Sequence, residues 1–284
     1  MNMRKPVHIA LAVVLVALAG VITWQVLRLS ESKSEPVYQG KGLRAWLADD
    51  YYSWARQDAP AQDEAEGAIR RIGTNAIPTL LKMIRRKDSW MVSVLIPLWD
   101  RHVYGNGHLP LWVRCPSWHQ NKAAVLNLQA LKGFEVLRGN AQPAVPELIT
   151  IYDLNLSPDF QRCASRALIA IGPEARRRAI PSFVRWAASS DARTREIAVC
   201  ALAEAHVEPS LVVPALTKAL SDTNANARAI AAIGLKEIGW LGGAQQAVPA
   251  LVRLLNDPDG TVRRVAAEAL KNIDYDAAVK AGVK

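Results

Sequence analysis

Apolar residues recur at helical spacing along most of the chain, and short polar segments divide them into paired stretches. The first stretch of each pair starts with a β-branched residue and a proline, at intervals of about 34 residues or twice that. These dipeptides are Ile77-Pro78, Val145-Pro146, Ile180-Pro181, Val213-Pro214 and Val248-Pro249. Because the first turn of a helix has no intrahelical partners for its N–H groups, proline there is consistent with a helix start.

A second helix is predicted after each of these, beyond a turn that aspartate favours. The turn aspartates are Asp88, Asp191, Asp222 and Asp257. Each complete second stretch contains an anchor leucine preceded four residues earlier by alanine, and these leucines are Leu168, Leu202, Leu235 and Leu270. Small residues on the face of the anchor let neighbouring helices approach closely. The pattern therefore predicts an all-α chain of about five to six helix pairs over residues 43–273, stacked as an α-solenoid.

The clearest repeat runs from Val248-Pro249 through Asp257 to Leu270, and it resembles a HEAT repeat. Arg195, Arg228 and Arg263 occupy the arginine position of that family, seven residues before the anchor, whereas Gln161 departs from it. The segment from Tyr38 to Leu47 is similar to the entry segment of exported bacterial HEAT-repeat proteins. The resemblance implies a binding scaffold and specifies no ligand.

The beginning of the chain is apolar without a helical repeat. Residues 7–27 contain few polar side chains and would span about 31 Å as a helix, close to the thickness of a bilayer core. Arg4 and Lys5 lie in the preceding segment, 1–6, which predicts a cytoplasmic N-terminus and a single-pass membrane protein with its body outside the cytoplasm, periplasmic if the cell is Gram-negative. A cleaved signal peptide, which would leave a secreted protein, is the alternative. Residues 28–42 are predicted to be a linker and residues 274–284 a tail.

Composition adds limits to this picture. The chain has 284 residues, a formal net charge of +9 and three cysteines, too few for a disulfide framework. No catalytic spacing motif or phosphate-binding glycine loop is present, so neither an enzymatic activity nor a small-molecule cofactor is predicted. The basic run Arg176–Arg178 is predicted to lie at the start of a first helix, as a solvated cluster or a partner contact.

The repeat is interrupted by an irregular insertion near residues 104–117. Trp112, Arg114 and Trp118 are the residue types found in binding hot spots, but such tryptophans also fill gaps in a core. Four potential metal ligands lie in the same stretch: His102, His108, Cys115 and His119. Because their spacing matches no familiar zinc module, no metal is predicted, and a metal-binding or lyase-like enzyme centred on residues 102–119 is kept as the alternative function.

The exposed face of the stacked second helices can be located from their register. Its residues are Arg162, Arg166, Ile169, Glu196, Cys200, Ala203, Ala229, Ile233, Lys236, Arg264, Glu268 and Lys271. A nucleic-acid groove would be basic throughout and interleaved with aromatic residues. This face has mixed charge, with Arg166, Glu196, Ile233 and Glu268 along its length, so a protein or peptide partner is favoured and nucleic acid is not expected. The leading hypothesis is a membrane-tethered, non-catalytic scaffold.

Overall fold

The computed structural model describes residues 35–86, 122–239 and 243–283. The chain divides into two units, with the boundary between Ala76 and Ile77. No helix among the described residues is long and apolar enough to cross a membrane. The predicted membrane segment, residues 7–27, lies outside the described residues.

The first unit is a small β-ribbon followed by a helical hairpin. Strands β1 (Val37–Tyr38) and β2 (Lys41–Gly42) pair antiparallel through a turn at Gln39 and Gly40, where φ is 51° and 74°. Two central residues with positive φ are typical of the tight turns that match strand twist. Helices α1 (Leu43–Arg56) and α2 (Ala59–Ile72) follow and pack on each other, and a 3₁₀ turn spans Gly73–Ala76.

The ribbon corrects the prediction that residues 28–42 are linker throughout. The Trp46 indole N–H donates to the Tyr38 carbonyl at 3.2 Å, and the Arg71 guanidinium donates to the Tyr38 hydroxyl at 2.7 Å. The Lys41 ammonium lies 3.8 Å from the centroid of the Trp46 ring, a cation–π contact. These contacts order the ribbon, and they come from residues that follow it in sequence.

The described residues of the second unit form a stack of helices, joined by short turns over residues 122–239. Its α-helices are α3 (Ile77–Ile84), α4 (Lys122–Leu137), α5 (Val145–Asp153), α6 (Pro158–Ile171), α7 (Pro173–Trp186), α8 (Ala192–Ala205), α9 (Pro209–Ala219), α10 (Ala225–Gly239), α11 (Val248–Leu254), α12 (Gly260–Ile273) and α13 (Tyr275–Lys280). Two 3₁₀ segments, Arg138–Ala144 and Gln245–Ala247, precede α5 and α11. Helices α4, α6, α8, α10 and α12 pack consecutively, and α5, α7, α9 and α11 each pack on the helix that follows. The predicted all-α solenoid is confirmed for the described residues of this unit.

The predicted anchors form the core of the stack. Leu168, Leu202, Leu235 and Leu270 are completely buried, as are the alanines four residues before each. Helices α8 and α10 approach closely, since a Cβ added to Gly234 would lie 2.6 Å from the Cβ of Ala203. Only glycine permits that separation, and Ala203, predicted to be on the exposed face, is buried there instead.

Two helix starts differ from the prediction. Pro181 and Pro214 lie inside α7 and α9, which begin earlier, at Pro173 and Pro209. Proline at the first helical position fixes a favourable φ and loses no intrahelical bond, so the earlier prolines set the start. Residues 274–284 also contain a helix, α13, because the Asp274 side chain caps it by accepting from the Ala277 N–H at 2.9 Å.

Candidate functional site

A groove runs across the exposed face of the second helices α6, α8 and α10. Its cavity volume is about 290 Å³. The lining side chains alternate between charged, polar and apolar, and they are Arg162, Ser165, Arg166, Ile169, Glu196, Ile197, Cys200, Ala201, Glu204 and Ile230. We call this feature the second-helix groove. It brings together Arg166 and Glu196, two of the residues predicted to bind a partner.

The charged groups of the groove are not paired with each other. On α6, Arg162 and Arg166 are exposed and lie one turn apart. On α8, Glu196 accepts a hydrogen bond from the Asn224 side-chain amide at 2.8 Å, and Glu204 accepts from the Cys200 thiol at 3.3 Å. None of these four charged side chains forms an ion pair with any residue in the described part of the chain.

Toward α12, charged side chains on the same face form ion pairs with each other. On α12, Glu268 lies 2.6 Å from the guanidinium of Arg264 and 3.5 Å from the ammonium of Lys236 on α10. The hydrogen bond from Arg264 lowers the pKa of Glu268 from its usual value. Ile233, on α10, is 41% exposed and remains available, whereas Glu268 is already bound by its own neighbours.

The two described cysteines are on second helices, and neither has the properties of a reactive thiol. Burial, together with the carboxylate of Glu204, raises the pKa of Cys200 to about 11. Burial also raises the pKa of Cys163. Both side chains are therefore protonated near neutral pH, and a protonated thiol is neither a good nucleophile nor a metal ligand.

A pair of buried ion pairs joins successive second helices beside the groove. Arg195 of α8 donates two hydrogen bonds to Asp222, at 2.6 and 2.8 Å, and Arg228 of α10 donates two to Asp257, both at 2.8 Å. The aspartate side chains are 6% and 5% exposed. Each arginine also caps carbonyl groups of the turn before its helix, Ser189 and Ser190 for Arg195, and Asp222 and Thr223 for Arg228.

We call these two interactions the Arg–Asp clamps. Hydrogen bonds from the guanidinium of Arg195 lower the pKa of Asp222, and those from Arg228 lower the pKa of Asp257. Bidentate pairing of this kind fixes orientation as well as energy. The clamps thus hold α8, α10 and α12 in register.

The clamp is missing between α6 and α8, where both of its members are replaced. The backbone N–H of Gln161 donates to the carbonyl of the N-cap residue Ser157, the same bond that Arg195 makes to Asp191. Gln161 therefore stands where α8 has Arg195, and it is fully buried with neither amide atom hydrogen-bonded.

The position equivalent to Asp222 is Ser189. The Ser189 hydroxyl accepts from the N–H two residues later at 3.2 Å, as the Asp222 carboxylate does from Asn224 at 2.8 Å. Asp191, which was predicted to be equivalent to Asp222, is instead the N-cap of α8 and accepts from the Thr194 N–H at 2.7 Å. The predicted equivalent of Asp222 was therefore wrong by two residues, because Ser189 and Asp191 both have side chains that accept hydrogen bonds in this turn.

A different carboxylate holds this joint, on the side of the first helices. Asp153 at the end of α5 accepts from the Ser182 hydroxyl at 3.0 Å and the Trp186 indole N–H at 3.1 Å, both on α7. The Arg185 guanidinium of α7 lies 2.5 Å from the same carboxylate. On the second-helix side of this joint, the described residues form one exposed ion pair, between Asp159 of α6 and Arg193 of α8 at 4.0 Å, and no buried Arg–Asp clamp.

The basic run Arg176–Arg178 is largely used within the fold. It lies inside α7 and not at its start, so the predicted position was wrong. Arg176 donates to the carbonyls of Ile169 and Ala205, at the ends of α6 and α8, where a cation is favoured by the helix dipole. Arg177 forms ion pairs with Glu174 and Glu208, at 2.7 and 2.8 Å.

The remaining predicted site residues lie outside the described residues. These are Trp112, Arg114 and Trp118 of the insertion and the four potential metal ligands His102, His108, Cys115 and His119. Within residues 35–86, 122–239 and 243–283, no cluster of three metal-ligating side chains is found. The sequence prediction followed only three register positions on each helix, and it therefore missed five residues of the groove: Ser165, Ile197, Ala201, Glu204 and Ile230.

Comparison with known proteins identifies the last part of the stack. Residues 213–281 match the family model described as HEAT repeats. The last part of the stack is therefore similar to HEAT repeats, and the predicted resemblance is confirmed there. One Arg–Asp clamp, Arg228–Asp257, lies wholly within the matched residues. The other clamp joins Asp222 of the matched residues to Arg195 of the preceding helix α8.

Solved structures with similar backbones are repeat or engineered proteins. An engineered protein is 23% identical, with 78% of this chain and 68% of that chain covered and a TM-score of 0.45. A designed armadillo repeat protein in complex with the peptide (KR)4 is 17% identical, with 76% and 95% covered and a TM-score of 0.44. Both scores are below 0.5, too low to transfer a property of those proteins to this chain. No curated protein sequence matches this chain significantly.

Proposed function

We propose that this protein is a non-catalytic scaffold that binds a protein or peptide partner through the second-helix groove. The observation that carries the proposal is the set of four charged groups on α6 and α8 without ion-pair partners among the described residues. Ile233 adds exposed apolar surface on α10, one helical turn from the groove residue Ile230. A solenoid does not need such groups for its own packing, because its neighbours are held by buried leucines and clamps. They are instead suited to complementary charges on a partner.

The test is site-specific photo-crosslinking in the full chain. A photoreactive residue at Ile233, 41% exposed on the second helix α10, should capture one partner reproducibly. The matched control is Leu211, 50% exposed on the first helix α9, which should not capture that partner. Equal capture at both positions, or capture at Leu211 alone, would refute the proposal. The captured protein, once purified, should bind the full chain directly.

The second part of the proposal is location. We propose that residues 7–27 anchor the chain in the cell membrane, with the helical stack outside the cytoplasm. The apolar run and the preceding Arg4 and Lys5 support this orientation. A reporter active only in the cytoplasm, fused after Lys284, should then give no signal. Strong reporter activity would refute the orientation, and recovery of the chain in the medium would indicate the cleaved, secreted alternative.

A further inference from the structure

The two ends of the second-helix face differ in how their charges are satisfied. Toward α12, Glu268 is held between Arg264 and Lys236, so positive and negative groups neutralise each other. Toward α6, the positive groups Arg162 and Arg166 are on one helix and the negative groups Glu196 and Glu204 are on the next. The unpaired end therefore presents a positive row and a negative row side by side.

From this arrangement we propose that the groove binds an extended peptide segment with an acidic and a basic side chain three residues apart. The acidic side chain is held by Arg162 and Arg166, and the basic one by Glu196 or by Glu204, which lie about 12 Å apart along α8. The inference rests on the proposed function, since it specifies which chemistry the scaffold recognises.

The acidic subsite follows from the geometry of α6. Residues four apart on a helix have Cβ atoms about 5–6 Å apart, so the two guanidinium groups can converge on one carboxylate. The planar fork of arginine matches carboxylate oxygens with two parallel hydrogen bonds. Both side chains are exposed, and neither has an ion-pair partner among the described residues, so a ligand displaces no internal pair.

The basic subsite is on α8. Glu196 and Glu204 accept single bonds from the neutral donors Asn224 and Cys200. A carboxylate with one neutral donor keeps free acceptor positions, and an ammonium or guanidinium provides several donors for them. Charge-assisted hydrogen bonds of this type are stronger than the neutral ones already present.

The spacing follows from the stacking of the helices. Packed helices have axes about 8–10 Å apart, and an extended polyproline-type segment rises about 3.1 Å per residue with three residues per turn. Side chains three residues apart then point the same way at about 9 Å separation, which is close to the usual spacing between the axes of packed helices such as α6 and α8. An apolar side chain between them can pack on Ile169, which lines the groove from α6.

The alternation of charge also excludes polyanions as the occupant. A nucleic acid or an anionic lipid surface would place phosphates against Glu196 and Glu204 as well as against the arginines. Like charges at close range oppose binding, so a ligand of a single sign satisfies only half of the groove. A peptide of mixed charge satisfies both rows.

The experiment measures binding of labelled peptides to the full chain by fluorescence anisotropy. The probe is Ser-Asp-Leu-Pro-Lys-Ser, in which proline favours the extended conformation. Its matched controls replace lysine by aspartate, or aspartate by lysine, so that length and apolar content are constant. The mixed-charge probe should bind at least about ten-fold more tightly than either control.

The protein variant that tests the subsite is the double reversal Arg162→Glu and Arg166→Glu. Its preference should shift to the dilysine peptide, which then meets carboxylates on both helices, and the mixed-charge probe should lose about ten-fold in affinity. The control is Arg178→Glu with Arg253→Glu, two exposed arginines on the first helices α7 and α11, with no change expected. Circular dichroism and melting should show that both variants are folded.

Equal binding of the three peptides, or an unchanged preference in the Arg162→Glu/Arg166→Glu variant, would overturn the inference. The crosslinking experiment at Ile233 separates this failure from that of the proposed function. If the partner is still captured at Ile233 after reversal of the α6 charges, the scaffold proposal stands and the charge register is wrong. If the partner is captured only outside the second-helix face, both are wrong.

Discussion

Consecutive repeats are held together by polar contacts, but these contacts lie in different places along the stack. The joint between α6 and α8 differs from the joints α8–α10 and α10–α12. From α8 to α12, buried Arg–Asp clamps lock each second helix to the next repeat. Between α6 and α8 the clamp is replaced by Gln161 and Ser189, and the polar lock is instead Asp153 on the side of the first helices. The groove whose charges have no ion-pair partner among the described residues lies over the joint that has no clamp, so these charges and those of the clamps lie in different parts of the stack.

Among the variants that test this comparison, Asp222→Ala is expected to lower the free energy of unfolding most. The change leaves the guanidinium of Arg195, 16% exposed, without its carboxylate, and breaking one partner of such a buried pair costs about 3 kcal/mol. Chemical denaturation should report the loss, and hydrogen exchange should locate it at α8 and α10. Ser189→Ala, at the equivalent position of the unclamped joint, is the control and should cost under about 0.5 kcal/mol. Equal losses of stability in Asp222→Ala and Ser189→Ala would show that the clamped and unclamped joints do not differ in this way.

Acid should weaken both clamps next. The pKa values of Asp222 and Asp257 are lowered in the fold by their arginine partners, so their stabilisation is complete above the ordinary value of about 3.9 and is lost as pH falls below it. Urea denaturation from about pH 5 to pH 2.5 should show this decline. The variant Asp222→Asn with Asp257→Asn should be less stable at neutral pH, and its free energy of unfolding should depend less on pH in the acid range. The N-cap Asp191 contributes to the remaining dependence, because its bonds to Thr194 also lower its pKa. An unchanged slope would contradict the assignment.

The lock at the unclamped joint is tested by Asp153→Ala. Ser182, Arg185 and Trp186 would lose their shared acceptor, which is 29% exposed, so the expected cost is about 2 kcal/mol. Hydrogen exchange should show weakened protection in α5 and α7 with α12 unchanged. The control is Asp159→Ala on α6, a surface carboxylate 4.0 Å from Arg193, with a loss below about 0.5 kcal/mol. Loss of protection spread evenly to α12 would show that the joints are not independent.

The smallest change in stability is expected from introducing an Arg–Asp clamp between α6 and α8, with Gln161→Arg and Ser189→Asp. Gln161→Arg alone should destabilise by placing an unpaired charge at a fully buried position, and Ser189→Asp alone should change little. If the register is right, the double variant should show a favourable coupling of about 1 kcal/mol in a double-mutant cycle. Strictly additive effects would mean that residues 161 and 189 do not face each other as Arg195 and Asp222 do.

Much of the fold was predictable from local pattern. The paired helices, the turn positions and the four buried anchor leucines follow from spacing that repeats along the chain. Such spacing is informative because helices at 3.6 residues per turn put recurrent apolar positions on one face. The starts of α7 and α9 were misplaced because Pro181 and Pro214 look like first-turn prolines, whereas Pro173 and Pro209 begin those helices.

The candidate site was predicted only in outline. Arg166, Glu196 and Ile233 were predicted to lie on the exposed second-helix face. That prediction needs only the helical spacing of each residue from its anchor leucine, which the sequence of a single helix contains. Which charges are free was not predictable. Arg264, one turn before Glu268, is visible in the sequence, but the contacts of Glu268 with Lys236 and of Glu196 with the neutral Asn224 join different repeats and are not.

Local periodicity is enough to predict that the second unit is a stack of helix pairs, since each amphipathic pair must bury its apolar stripe against its neighbours. How those pairs are locked together depends on contacts that form only in the folded chain. The clamp partners are 27 and 29 residues apart, in different repeats, and a shift of two residues separates the true partner position, Ser189, from the similar Asp191. Hydrogen bonds between side chains depend on angles and distances of a few tenths of an ångström, and these are set by how the helices dock rather than by the order of the residues.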